Sequence, residues 1–342
     1  MATILDVAKI SGVSKTTVSR AFINPSMVKP STLKKIDQAA KSLNYKPNAL
    51  ARAMITKKTE NIGFIIYDRQ YPVITNPFYG PILESVVEEI GRKGYSLFIS
   101  SDKGLCNKSG EIMMRKQVDG VILASQTDRN VIKSFIKAGL PVVLLNYYMK
   151  AAGIYSVLSD DFGGIMNAVS YLAGAGHRDI GFIEGRFTQF ISGRRHEAFL
   201  KAMEKNNLII RPRFMAFTEP SIQDSFDAAC RMFSRKKRPT ALLCANDVIA
   251  VGVVKAALHW GIKIPEDLSV IGYDDSDLCA ACQPALTSID ANTRELGVQA
   301  VHCLLGQMSG RPPVERIVTV GTRLVIRAST GEKKGGSLSK LH

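Results

Sequence analysis

The sequence predicts an α/β protein with a small helical head. Residues 1–46 read as a three-helix helix-turn-helix, 47–59 as a hinge helix and linker, and 60–330 as a core of two like-folded lobes of parallel sheet flanked by helices. Three observations predict it. The first 60 residues hold eleven Lys/Arg against three acids in a chain of net charge +15. From Ile62 short apolar runs alternate with amphipathic stretches, the pattern of βαβ units and parallel sheets. Ile62-Gly-Phe-Ile65 recurs as Ile180-Gly-Phe-Ile183, each opening a similar succession of runs.

Length and composition set the bounds. The 342 residues allow two to three folding units at roughly 150 each, and 46% hydrophobic residues give each a core, which excludes a largely disordered chain. No stretch approaches the roughly 18–20 apolar residues of a membrane helix. Asp6 and Lys9 fall where a secretory signal has its apolar stretch, so the expectation is a soluble cytoplasmic protein without membrane contact. The six scattered cysteines (Cys106, Cys230, Cys244, Cys279, Cys282, Cys303) suit reduced thiols.

In the head, Thr3 and Asp6 form a capping box ahead of Ile4, Leu5, Ala8 and Ile10, which have helical spacing. Gly12 ends that helix in the left-handed region, and Ser14 caps the next, with Val13 and Val18 as a hydrophobic staple. Val18, Ala21 and Phe22 face inward, leaving Lys15, Thr16, Thr17, Ser19 and Arg20 outward on the turn that enters a groove in such motifs. Ser31 reads as the cap of a third helix carrying Leu33, Ile36, Ala40 and Leu43, and Pro47 as its end. The local positive charge suits a polyanion, because neutralised phosphates release counterions. Asn48 caps a helix-favouring octet, Asn48 to Ile55 with Ala51 and Ala53, too short to be stable alone.

In the body, strands are predicted at Ile62 to Tyr67, Ser96 to Ile99, Gly120 to Ala124, Val142 to Leu145, Ile180 to Ile183, Thr240 to Cys244 and Ser269 to Gly272. Helices are predicted at Pro81 to Lys93, Phe162 to Ala173 and Val248 to His259. A ligand crevice between the lobes belongs at the carboxyl ends of the strands. Gly-rich nucleotide loops, a Gly-x-Ser-x-Gly elbow and His-Glu-x-x-His are missing, and the five histidines show no ligand spacing. Cys279-x-x-Cys282 lacks the second pair of a zinc site and reads as two core or loop residues; Arg235-Lys-Lys-Arg238 reads as a solvated loop. No cofactor, metal or catalytic residue is expected. A stand-alone solute-binding protein has no use for residues 1–60, and a Rossmann-type sugar enzyme lacks its phosphate loop.

The chain resembles the LacI/GalR family of bacterial transcription regulators from about Thr3 to Ser329. The resemblance is carried by Asp6-Val-Ala-Lys-Ile-Ser-Gly-Val-Ser-Lys-Thr-Thr-Val-Ser-Arg20, Leu43-Asn-Tyr-Lys-Pro-Asn-Ala-Leu-Ala-Arg52, Asn76-Pro-Phe-Tyr79 and Gly176-His-Arg-Asp-Ile-Gly-Phe182. Ala245-Asn-Asp247, Ile264-Pro-Glu-Asp-Leu-Ser-Val-Ile-Gly-Tyr-Asp-Asp275 and Pro284-Ala-Leu-Thr-Ser-Ile289 complete it.

The family implies a repressor that acts as a homodimer, with a tetramer open, on double-stranded DNA at a near-palindromic operator. Its core resembles periplasmic sugar-binding proteins and takes a small-molecule effector, a sugar or sugar derivative being favoured. By position, Lys15, Thr16 and Arg20 read bases, Ser19, Asn24 and Tyr45 suit phosphates, and Met54 replaces the family's minor-groove Leu. Phe78, Tyr79, Asn146, Tyr147, Arg195, Asn246 and Asp274 are the implied effector residues. Pro220 stands where some sugar binders carry a stacking aromatic, which passes that role to Phe187, Phe190 or Phe217 or argues against a pyranose. The lobes are expected at about 60–160 plus 291–321 and 161–290 plus 322–330, with 331–342 a disordered tail.

Overall fold

The computed structural model describes residues 2–46, 58–66, 75–101, 118–124, 126 and 128–333. They fall into two compact units, one running to Asn61 with Asp119, the other from Ile62 onward.

The head is built from local signals. Helix α1 (Ile4–Ser11) starts at Thr3, whose hydroxyl accepts from the Asp6 amide while the Asp6 carboxylate accepts from the Thr3 amide at 2.8 Å. It ends at Gly12, whose φ of 69° is open to glycine at no steric cost. Ser14 then caps α2 (Lys15–Ile23), its hydroxyl accepting from the Thr17 amide at 3.1 Å. Two expectations change at α3 (Pro30–Ser42). It begins at Pro30, with Lys29 and not Ser31 at the cap, because a first-turn proline has φ preset and needs no amide partner. It stops at Ser42, not Pro47: Leu43 is the C-cap and Asn44 turns left-handed at φ 47°. Val7, Val18 and Ile36 close the three-helix core, with Val13, Phe22, Leu33, Leu43 and Tyr45 packed around it.

The second unit begins with β1 (Asn61–Ile66), α4 (Tyr79–Arg92), β2 (Ser96–Ser101), β3 (Gly120–Ala124), α5 (Arg129–Lys137), β4 (Val142–Leu145) and β5 (Ile154–Ser159). The chain then runs through α6 (Asp161–Gly174), β6 (Ile180–Gly185), α7 (Gln189–Lys205), β7 (Met215–Thr218), α8 (Ile222–Phe233), β8 (Ala241–Cys244), α9 (Asp247–His259), β9 (Ser269–Asp274), α10 (Leu278–Ala281) and β10 (Thr287–Asp290). It returns through α11 (Thr293–Met308) and β11 (Ile317–Val320) and ends in β12 (Arg323–Val325).

Two six-stranded sheets result, in orders β11-β5-β4-β3-β1-β2 and β12-β10-β9-β8-β6-β7. The pairs β1–β3, β3–β4, β4–β5 and β5–β11 are parallel, as are β6–β7, β6–β8, β8–β9 and β9–β10; β12 runs antiparallel to β10. The chain passes between sheets after β5, β10 and β11. Two of these crossings are tied, since the Asp160 amide donates to the Val320 carbonyl at 2.9 Å and the Thr322 hydroxyl to the Asp160 carbonyl at 3.1 Å.

Strands with continuous apolar runs lie where the sequence predicts them. Five go unpredicted: β7, β11 and β12 are half-exposed sheet edges, and β5 and β10 hide Ser156, Ser159, Thr287 and Ser288 in a buried strand. The chain end also differs from expectation. Residues 331–333 are held, with the Gly331 amide donating to Ser269 Oγ at 3.1 Å and the Lys333 amide to the Ala175 carbonyl at 2.9 Å; the rest of the expected tail lies outside the described residues. No described helix is long and apolar enough to cross a membrane.

Candidate functional site

On the head, α2 separates its roles by face. Val18 and Ala21 are buried, while Lys15, Thr16 and Arg20 are exposed in the first two turns. Thr17 and Ser19, expected outward, are half-buried, and the Thr17 hydroxyl lies 2.9 Å from Ser14 Oγ, where the cap engages it. Asn24 is the C-cap of α2, and its Oδ1 accepts from the Ser26 hydroxyl at 2.6 Å. The Tyr45 ring packs 5.9 Å from that of Phe22. Asn48, Ala51 and Met54 lie outside the described residues. Where the linker ends, the Thr59 amide and hydroxyl donate to Asp119 Oδ1 at 2.7 and 2.8 Å and the Glu60 amide to Oδ2 at 2.9 Å, which anchors the chain ahead of β1.

In the core, the implied effector residues collect at the carboxyl ends of strands. Asn146 and Tyr147 follow β4, Asn246 follows β8, and Asp274 ends β9. Asn76 Oδ1 accepts from the Phe78 and Tyr79 amides at 2.9 and 3.0 Å, an Asx turn that opens α4 and sets both rings, which meet edge to face at 5.0 Å. The Tyr147 ring meets Phe190 of α7 edge to face at 5.7 Å, so the two lobes touch through these side chains. Asn146, Asp274 and Asp275 all have left-handed backbone, at φ 56°, 106° and 54°. Such conformations cost roughly 1–3 kcal/mol each and cluster where surrounding structure enforces them. Here part of that enforcement is visible: the Asp275 amide donates to Ser288 Oγ at 3.2 Å, and the Arg327 guanidinium donates to the Asp275 carboxylate at 2.6 Å.

Arg195 is bound more tightly than a free ligand clamp. It is 4% exposed; its Nε donates to Asp161 Oδ1 at 3.0 Å, its Nη1 donates to the Ala245 carbonyl, and its guanidinium lies 3.7 Å from the Tyr273 ring centroid. Nη2 stands 3.8 Å from Asp274 Oδ1, an ion pair without a hydrogen bond. Burial works against its charge, but the Asp161 and Asp274 carboxylates and the Tyr273 oxygen outweigh that and hold it firmly protonated. Asn246 is likewise occupied, its Oδ1 capping α9 through the Ile249 amide at 2.9 Å. Of the proposed stacking aromatics, Phe187 lies under Arg195 at 5.6 Å, Phe190 lies by Tyr147, and Phe217 is 53% exposed beside His196; Pro220 is buried.

Sequence reasoning missed the residues that hold this group together. Asp161 opens α6 and accepts from Arg195, from Arg194 Nε at 3.1 Å and from the Tyr273 hydroxyl at 2.9 Å. Burial, with Asp161 close by, pushes the Tyr273 hydroxyl well above its usual range, so it stays a donor. Asp247 accepts from the Ser276 amide and hydroxyl at 2.8 and 2.9 Å and from the Ser288 hydroxyl at 2.6 Å. A Cβ at Gly272 would come within 2.2 Å of Asp247 Oδ1, so the glycine before Tyr273 and Asp274 makes room for that carboxylate. The one available signal was the pair Asp160-Asp161 between a strand and a helix. Cys279 is buried and Cys282 half-buried, with the Cys279 thiol pushed up by burial and by Asp247.

Two family models match the chain, "Bacterial regulatory proteins, lacI family" over residues 3–48 and "Periplasmic binding protein-like domain" over residues 169–330. The HTH-type transcriptional repressor PurR of Histophilus somni is 34% identical over 96% of this chain and 99% of its own length. The NTD biosynthesis operon regulator NtdR of Bacillus subtilis is 34% identical over 96% of this chain and 100% of its own. Among solved structures, the lac repressor dimer bound to operator and the anti-inducer ONPF superposes with a TM-score of 0.84 at 26% identity, covering 96% of this chain and 99% of that one. The regulator CelR in complex with cellobiose, at 23% identity and TM-score 0.73 over 96% and 100%, shares the fold.

Proposed function

The chain belongs to the lacI family of bacterial regulatory proteins, and from that membership we propose that it is a ligand-responsive repressor that binds a near-palindromic operator as a homodimer. Its relatives are transcriptional repressors and regulators, not enzymes. In this reading residues 1–46 bind DNA, 47–59 form the hinge, and 60–330 bind effector and dimerise through lobes divided near 160, 290 and 321.

The observation that carries the reading is the face of α2. Lys15, Thr16 and Arg20 stand exposed at the start of a helix fixed by the Ser14 cap and by Val18 and Ala21, the placement from which side chains reach base edges. Ser19, Asn24 and Tyr45 flank it for phosphates. The hinge octet folds on the operator, with Met54 wedged at the central step. Asn146, Asn246 and Asp274, with Arg195, suit a ligand rich in hydroxyls, and a sugar or sugar derivative is the favoured effector.

Selection of bound duplexes from a randomised pool tests this. The selected sequences carry two inverted half-sites, and replacing Ala51 and Ala53 by Gly, at about 1 kcal/mol of helix propensity each, weakens specific binding far more than non-specific binding. A pool without inverted symmetry, or a specificity ratio unchanged by the glycines, overturns the operator reading or the hinge respectively.

A further inference from the structure

Charge in the effector site does not balance. Asp161 is met by two guanidiniums, Arg194 at 3.1 Å and Arg195 at 3.0 Å, and by the Tyr273 hydroxyl. Asp275 has its own cation in Arg327 at 2.6 Å. Asp247 is satisfied by the neutral donors of Ser276 and Ser288. Asp274 Oδ1 has a cation only at ion-pair distance and no hydrogen-bond donor. Arg195 stands 3.8 Å from it and spends its Nε and Nη1 elsewhere, on Asp161 and the Ala245 carbonyl. Three buried carboxylates, Asp161, Asp247 and Asp274, thus share two guanidiniums.

The open valences are acceptors. Among the described residues the buried side-chain polar atoms without a hydrogen-bond partner are Asp274 Oδ1 and Asn146 Oδ1, on residues 8% and 5% exposed. Both belong to residues at strand ends held in left-handed backbone. A buried acceptor without a donor is expensive, and a buried carboxylate without one the more so. Consistent with that shortage, burial drives the Asp274 carboxyl well above its usual range, Arg195 offsetting this only in part while Asp247 and Asp161 add to it.

We propose that the effector is an aminated polyol, an amino sugar or close analogue, whose protonated amino group binds Asp274 and whose hydroxyls reach Asn146 Oδ1. This rests on the effector reading given above and narrows it. An ammonium group brings three donors and a positive charge within hydrogen-bond distance, which Arg195 at 3.8 Å does not give Asp274. A sugar phosphate brings acceptors and negative charge to a site whose open atoms are acceptors, and a plain sugar brings donors but no charge.

Thermal unfolding of the full-length protein at neutral pH tests it with glucosamine, galactosamine and mannosamine against glucose, galactose and mannose, and against glucose 6-phosphate. At least one amino sugar raises Tm and binds about tenfold more tightly than its parent, the ratio of a charge-assisted to a neutral hydrogen bond. The phosphate leaves Tm where it was. Asp274→Asn, which keeps the shape and removes the charge, raises the ligand-free Tm and collapses the amino-to-parent ratio towards one. A plain sugar or the phosphate as the best binder, no member of the set stabilising, or a lowered ligand-free Tm in Asp274→Asn overturns the proposal. Operator binding measured on the same samples separates the two readings: an amino sugar that binds yet leaves operator affinity unchanged sinks the regulator reading and leaves the ligand class standing.

Discussion

The head and the core present functional side chains in opposite ways. In the head the groups that pack and the groups proposed to contact DNA are different residues: Val18 and Ala21 face in, Lys15, Thr16 and Arg20 face out. In the core the same groups do both, since Arg195 is a 4% exposed member of a network joining α6, α7 and β9 as well as the residue beside Asp274. On the proposed function, recognition is therefore separable from stability in the head and inseparable from it in the core.

The largest effect that sharpens this contrast is on Asp161. Replacing it by Ala leaves Arg195 and part of Arg194 buried without their shared carboxylate, and removing one partner of a buried ion pair costs about 3–5 kcal/mol. Calorimetry of Asp161→Ala shows that loss in the core transition. A loss below about 1 kcal/mol would show that the network is dispensable, and the contrast would fail.

Arg20→Ala probes the other side with a smaller effect. It costs about 1–3 kcal/mol of operator binding, concentrated at one base pair, while unfolding stays within about 0.5 kcal/mol of the parent. Equal weakening on every sequence would reduce Arg20 to a phosphate contact. A matching loss of stability would break the separation itself.

The same contrast explains what the sequence made legible. The head's capping box, glycine stop and second cap span three or four residues each, so Thr3, Asp6, Gly12 and Ser14 were readable where they stand. Ser31 and Pro47 misled because competing local signals, Pro30 at the start of α3 and Asn44 at its end, outranked them. In the core, apolar runs gave the central strands, while half-exposed edges such as β7 and β12 carried no run to read. Asn146, Arg195, Asn246 and Asp274 are implied as effector residues only by resemblance to a family. Asp161 was not legible, because its partners Arg195 and Tyr273 lie 34 and 112 residues along the chain. No local pattern records such a pairing.

The smallest effect is a pH dependence that separates the two regions again. His177, in the Gly176-His-Arg-Asp179 stretch, is 2% exposed and structural. Its Nδ1 lies 3.0 Å from Thr240 Oγ1, and its Nε2 lies 3.0 Å from Ser269 Oγ and 3.1 Å from the Gly331 carbonyl, tying the end of α6 to β9 and to the chain end. The Gly331 oxygen can only accept, which puts the ring proton on Nε2 and leaves Nδ1 to accept from the Thr240 hydroxyl. A second proton would bury a charge and turn Nδ1 into a donor facing that hydroxyl. Burial accordingly lowers the His177 pKa below 6.5, the Gly331 carbonyl resisting and the Lys333 and Arg178 charges assisting. The folded pKa lies below the unfolded one, so between them the unfolded chain binds more protons and stability rises with pH. The contribution is complete above about pH 6.5 and is lost as pH falls through the window toward the folded value. Residues 1–60 contain no histidine, so the head is flat over the same range. The stability that the parent holds over His177→Gln, which keeps neutral hydrogen-bonding groups at the site, should shrink in the core transition as pH falls below about 6.5; a difference that does not change with pH would mean that His177 does not titrate as argued.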